Sequence, residues 1–140
     1  MYHLFITENG SPFPSWQKAF PDHRISSPDE IITGELFDII WFKLSFEKDA
    51  ESQLLWLFEH YGQNKIVVLT HIPRFVEAIQ CLKGGARGYV NVFAGSQTLK
   101  QIAEVVNEGG IWLGAELMQL LIASSQKIDE NLDEKNKVFH

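Results

Sequence analysis

The stretch "FDIIWFKLSF", residues 37–46, decides the fold. Phe37, Ile39, Ile40, Trp41, Phe42 and Leu44 make a short run that is apolar at nearly every position. Such a run reads as a strand buried on both faces, the type found at the centre of a parallel sheet. "KIVVLT" (65–70) is a second unbroken run of the same type. Lys43 stands near the carboxyl end of the first run, where a cation is out of place. An ammonium is rarely buried unless paired, because it loses its hydration. In open α/β sheets the carboxyl ends of the strands are where ligands bind. Lys43 therefore marks a site, or what used to be one.

Outward from these two strands, the chain alternates. "YHLFIT" (2–7) has strand character and stops at the turn cluster Glu8-Asn9-Gly10. The proline-punctuated stretch 11–22 holds only a short helix, Ser15 to Phe20, and "HRIS" (23–26) is a short strand. "SSPDEII" (26–32) predicts a helix start, with Ser27 as N-cap and Pro28 at the first helical position. In 49–62, Leu54, Leu55, Phe58 and Tyr61 recur at helical spacing before Gly62. A helix over 73–85, a strand over 88–93 and a helix over 96–110 come next, then one more helix over 114–125. The expected architecture is α/β: a doubly wound, five-stranded parallel sheet in the flavodoxin-like order 2-1-3-4-5, with an extra C-terminal helix. The domain spans 1–113, the extra helix 114–125, and 126–140 reads as a polar tail or linker.

Composition narrows the function classes. A chain of 140 residues fits one domain with a real core. The lone Cys81 can form no internal disulfide, offers no metal-ligand spacing and sits in an amphipathic helical pattern, so it reads as a small core residue. No apolar run approaches the roughly 18 residues needed to span a bilayer, and the N-terminus shows no signal-peptide pattern. A cytoplasmic location is the expectation. The formal net charge of −6 argues against nucleic-acid binding by this chain.

The segment "GGARGYVNVFAGSQTLKQIAEVVNEGGIWLGAELMQLL" (84–121) is the most specific stretch. It resembles the receiver domain of bacterial response regulators, in the subgroup whose receivers precede a LuxR-type helix-turn-helix. That family runs from a G-A-x-G-Y strand through a Ser-capped helix to a G-G-x-W/Y-L motif. Gly85, Ala86, Gly88, Tyr89, Ser96, Gly109, Gly110 and Leu113 fall on this pattern. "FDIIWFKLSF" matches the family's phosphorylated strand and "KIVVLT" its fourth.

The resemblance implies where a phosphorylation site would lie, and the residues there depart from it. The acidic pair that holds Mg²⁺ after the first strand reads Thr7 and Glu8. The phosphoacceptor aspartate is Lys43, and the lysine three residues after the aromatic position of the fifth strand is Val92. Thr70 and Tyr89 keep the hydroxyl and aromatic positions of the fourth and fifth strands. Phosphorylation requires a carboxylate nucleophile with Mg²⁺ neutralising the developing charge. Lys43 supplies no carboxylate, and Mg²⁺ demands near-octahedral oxygen ligation that one acid is a poor basis for. The resemblance thus implies a degenerate receiver without phosphorelay chemistry, metal or cofactor.

Each residue also has a plain reading. Lys43 either snorkels its ammonium out of the strand end or pairs with Glu8 on the adjacent first strand. Thr70 and Tyr89 read as inherited packing residues and His71 as a loop histidine without a catalytic partner. Glu47 and Asp49 fall beyond the strand end, where a substitute phosphoacceptor is not favoured. Trp16 lies on a short helix between prolines and could belong to a partner surface. The function expected is a non-enzymatic, phosphorylation-independent receiver acting by protein–protein contact in signal transduction or transcription regulation. Two alternatives stand beside it. One is a flavodoxin-like protein binding a nucleotide or flavin, although neither "TENGS" (7–11) nor the loop after Thr70 is a phosphate-cradling loop. The other is a conventional receiver in a shifted register. Two contact surfaces are expected. One is the face of the fourth helix (74–85), fifth strand (88–93) and fifth helix (96–110), for a homodimer. The other is the stripe of Leu117, Met118, Leu120 and Leu121 on helix 114–125.

Overall fold

The computed structural model describes residues 1–125; the stretch read as a polar tail, 126–140, lies outside them. Six parallel strands are arranged in the order β2-β1-β3-β4-β5-β6. They are β1 (His3–Ile6), β2 (Arg24–Ser26), β3 (Ile39–Lys43), β4 (Lys65–Thr70), β5 (Gly88–Asn91) and β6 (Trp112–Leu113). The helices are α1 (Pro14–Ala19), α2 (Ala50–Tyr61), α3 (Phe75–Gly84), α4 (Ser96–Asn107) and α5, over residues 115–125. The order is the expected one, extended at the β5 edge by the two residues of β6.

The central strands are buried on both faces, as their unbroken apolar runs require. Alternate residues divide between two cores. Leu4, Ile6, Ile40, Phe42, Ile66 and Val68 face one side, under Leu54, Leu57 and Tyr61 of α2 and Ala78 and Cys81 of α3. Phe5, Ile39, Trp41, Val67 and Leu69 face the other, under Trp16 of α1 and Leu99, Ile102 and Val106 of α4. Trp16, fully buried between Phe5 and Phe13, is a core residue and no partner surface. Burial pushes the Cys81 thiol up to about 12, so the core reading of that residue holds.

Three local expectations are corrected. Residues 27–38 form no helix; only a turn at 28–29 interrupts an irregular strap between β2 and β3. Gly34 adopts φ 80°, which breaks a helix, and the strap is anchored instead by side chains. Ile32 and Phe37 are buried in the α2-side core, and the Ile32 N–H donates to the Tyr61 hydroxyl at 2.9 Å. With that helix missing, the expected fourth and fifth helices are α3 and α4. Second, Leu55 is exposed and Leu57 is buried, so the inner stripe of α2 runs Leu54, Leu57, Tyr61. Third, the apolar stripe of the last helix is largely covered by its own domain. Leu117 is buried, Met118 and Leu121 pack on the same core, and Leu120 remains exposed. β6 also occupies part of the β5 edge, pairing with Gly88 and Tyr89, which narrows the face expected to dimerise.

Candidate functional site

The register of the sheet assembles the carboxyl-end residues. β1 and β3 pair in parallel with Ile6 opposite Phe42, so Thr7 and Glu8 leave β1 beside Lys43. The Lys43 ammonium lies 3.4 Å from Glu8 Oε1, at the long end of hydrogen-bonding range. The Lys43 side chain is only 12% exposed and that of Glu8 34%. Of the two readings of Lys43, the structure shows the ion pair. The pair lines a cleft of about 480 Å³ together with Asp29 of the strap, Phe42, Lys48, Gln53 and Trp56.

Thr70 and Tyr89 complete the strand ends. The Thr70 hydroxyl donates to the Ile72 carbonyl at 3.4 Å. Tyr89 is fully buried, and its hydroxyl is held from two directions. It accepts from the Arg74 N–H at 2.9 Å and donates to Glu77 Oε1 at 2.7 Å. Burial, reinforced by the Glu77 carboxylate, pushes the phenol pKa up, so it stays a neutral donor. Val92 is not brought to the site. Its N–H donates to the Thr70 carbonyl at 2.8 Å, and its side chain is fully buried with Leu99 and Ile102.

His71 is flanked by Phe46 and Phe93, at centroid distances of 4.6 and 5.4 Å. Burial and the nearby Lys43 charge lower its pKa, so the ring is neutral at physiological pH. Asp49 is engaged as the N-cap of α2, accepting from the Ser52 N–H at 3.0 Å and hydroxyl at 2.9 Å, which holds its pKa down. Glu47 is exposed in the same loop. Among the described residues no group of His, Cys, Asp and Glu side chains is arranged to hold a metal. No helix among them is long and apolar enough to cross a membrane.

Sequence reasoning misses Gln53. Its amide accepts from the Ser45 N–H at 2.7 Å and donates to the carbonyls of Ser45 and Lys48, both at 3.0 Å. It ties the β3–α2 loop to its own helix. The signal in the sequence is a glutamine one turn past the Asp49 cap, at an inward position of α2. Equally hidden is the ring series across the strand ends, since Phe13, Phe46, His71 and Phe93 come from four separate connections.

No protein-family model matches this sequence, and no curated protein matches it. Solved structures do. The isolated receiver domain of RcsB from Salmonella enterica serovar Typhimurium, in the presence of the phosphomimetic BeF3⁻, superposes with a TM-score of 0.66 at 13% identity, covering 86% of this chain and 97% of that one. The fold is that of receiver domains. A LuxR family DNA-binding response regulator from Silicibacter pomeroyi has a TM-score of 0.59 at 16% identity, over 82% of this chain and 98% of that one. The beryllofluoride-activated NtrC4 receiver domain dimer has a TM-score of 0.61 at 13% identity, over 77% and 97%. On the receiver fold, the Lys43–Glu8 pair sits where β1 and β3 release their chains at the carboxyl edge.

Proposed function

We propose that this chain is a receiver-type module of two-component signalling that works without phosphorylation, by protein–protein contact in signal transduction or transcription regulation. The observation that carries the reading is Lys43: a cation, paired with Glu8, stands at the strand end where a carboxylate nucleophile would be needed. A fixed ammonium there repels a divalent metal and cannot form an acyl phosphate. The lost lysine position, Val92, is packed into the core and offers no charge to a phosphoryl group. The module binds and does not catalyse, and its expected place is the cytoplasm. Its surfaces are the α3–β5–α4 face, where Arg74, Lys83, Arg87, Lys100 and Glu104 are exposed, and the outer side of α5 at Leu120. The first would support a constitutive homodimer.

The test is incubation with Mg²⁺ and a small phosphodonor, followed by intact-mass measurement and sedimentation across a dilution series. The expected result is an unchanged mass and an association state that ignores the phosphodonor. Addition of a phosphoryl group at any residue overturns the reading. Lys43→Asp alone is expected to remain unmodified, because Thr7 and Val92 still lack the metal-binding and phosphate-binding groups.

A further inference from the structure

The strap between β2 and β3 holds apolar side chains out to solvent. Ile32 and Phe37 point into the core, while Ile31 is 42% and Leu36 91% exposed. The stretch around Leu36 is held in place by its neighbours. The Tyr2 ring stacks on Phe37 at a centroid distance of 4.9 Å, the Tyr2 hydroxyl donates to Glu35 at 3.2 Å, and the Tyr2 backbone N–H donates to Asp38. The Arg24 guanidinium reaches both Glu35 and Glu30, which brings the two carboxylates together across the Gly34 turn. An exposed apolar side chain on a backbone already fixed in this way loses little freedom when a partner covers it.

Charge chooses the occupant. Residues 1–64 carry ten carboxylates against four lysines and arginines, and residues 65–125 carry four against five. The sheet order separates these stretches in space, with β2, β1 and β3 on one side and β4, β5 and β6 on the other. Within the acidic half, 25–42 contains Asp29, Glu30, Glu35 and Asp38 and no lysine or arginine. The segment 49–64, whose Tyr61 binds the strap, adds three carboxylates and again no lysine or arginine. Lys43 and Lys48 approach only the Asp29 end, in the Lys43 cleft, and Lys43 is engaged by Glu8. Around Leu36 the one cation is Arg24, set against Glu30 and Glu35, and Asp38 makes no ion pair among the described residues. A twofold contact between copies would set these acids against each other. The other half of the molecule is too nearly balanced to serve as a basic counterpart.

We propose that the strap docks a basic segment of a partner protein, one apolar side chain beside Leu36 and flanking lysines or arginines on Glu30 and Asp38. This is a third contact surface. It rests on the reading of the chain as a contact module, but not on the loss of phosphotransfer, so the peptide and phosphodonor experiments can fail separately. Charges at the rim set specificity and on-rate, and the apolar anchor sets residence.

The probe is a synthetic peptide with one leucine between lysines, titrated into the isotope-labelled full chain and followed by amide chemical shifts. Its glutamate-flanked counterpart, and a lysine peptide with serine in place of leucine, are the controls. The expected result is movement of amides in 29–38 with the lysine–leucine peptide only, weakening with added salt. Leu36→Ser, and separately Glu30→Gln with Asp38→Asn, should each weaken binding about tenfold or more. Lys83→Glu, on α3, should leave it unchanged. Glu30, Leu36 and Asp38 are exposed, and Asn at 38 keeps an acceptor for the Tyr2 N–H. An unchanged amide spectrum elsewhere shows that the variants fold. Equal response to the serine or glutamate peptide, or indifference to the strap substitutions, overturns the proposal. So does a homodimer that Leu36→Ser dissociates, which would make a second copy the occupant. Movement of amides in 135–139 on Leu36→Ser without peptide would place the chain's own tail there, and overturns it equally.

Discussion

At the scale of single residues, Lys43 and Glu8 are unequally buried, and that inequality sets what the pair contributes. Glu8 is about one-third exposed, so water screens its charge when the lysine is removed. Lys43→Ala is therefore expected to cost about 1–2 kcal/mol, below the 3–5 kcal/mol of a fully desolvated pair. Lys43→Met keeps the packing of the stem and should fall within about 1 kcal/mol of the wild type, because a buried ion pair contributes little over an apolar replacement. Chemical-denaturation midpoints of the two variants check this, and Met as damaging as Ala would contradict it. His3 gives the molecule a pH dependence. It is 2% exposed, accepts the Trp41 indole N–H on Nδ1 at 3.0 Å, and burial lowers its pKa to about 4. A histidine depressed in the folded state protonates first in the unfolded chain. Stability should then be full above about pH 6.5 and fall as the pH drops towards 4, by on the order of 2 kcal/mol. Denaturation midpoints at pH 7 and pH 5 measure the loss, and His3→Leu should flatten that part of the profile.

At the scale of elements, the β3–α2 connection is held by one side chain. Gln53 is buried and satisfies the backbone of Ser45 and Lys48. Gln53→Leu leaves the Ser45 N–H without its partner, at a cost of about 1–3 kcal/mol. The same change should speed hydrogen exchange in 45–49 while leaving β4 protected; unchanged exchange in that loop would show that Asp49 alone holds it. The elements legible in the sequence are those with a clean period. The runs 37–44 and 65–70 can only be buried strands, and α4 declares itself by Leu99, Ile102, Ala103 and Val106. The strap misleads because Ser27-Pro28-Asp29 carries helix-start chemistry, while residues 30–38 supply no inner stripe. Ile32 is buried, but its partner one turn on, Leu36, is 91% exposed. Tertiary anchoring at Ile32 and Phe37 overrides the local signal. β6 is illegible because two residues carry no period, and only pairing with Gly88 and Tyr89 makes Trp112–Leu113 a strand.

At the scale of the whole molecule, strand order and the alternation of helices place Thr7, Glu8, Lys43 and Thr70 on one edge, and so much of the site can be read before any coordinates. The direction of a side chain cannot. Val92 turns into the core on the α4 side, and Tyr89 is fixed inward by groups 12 and 15 positions away in the chain. The strap has a further consequence, for the order in which the molecule assembles. Ile39 pairs with Lys65 across α2 and Val67 with Gly88 across α3, helices of 12 and 10 residues that shorten the search for each partner strand. His3 must find Ile39, 36 positions on, across a connection whose regular structure is only the six-residue α1 and the three-residue β2, followed by the strap. Closing a long, structureless connection costs entropy before any contact repays it. The amides of β3, β4 and β5 should therefore gain protection first in pulsed hydrogen exchange during refolding, and those of β1 and β2 last; simultaneous protection of all five would contradict this. During synthesis β1 then emerges before β3 but is seated after β3 has paired with β4, and the apolar flank of β3 stays open until β1 arrives.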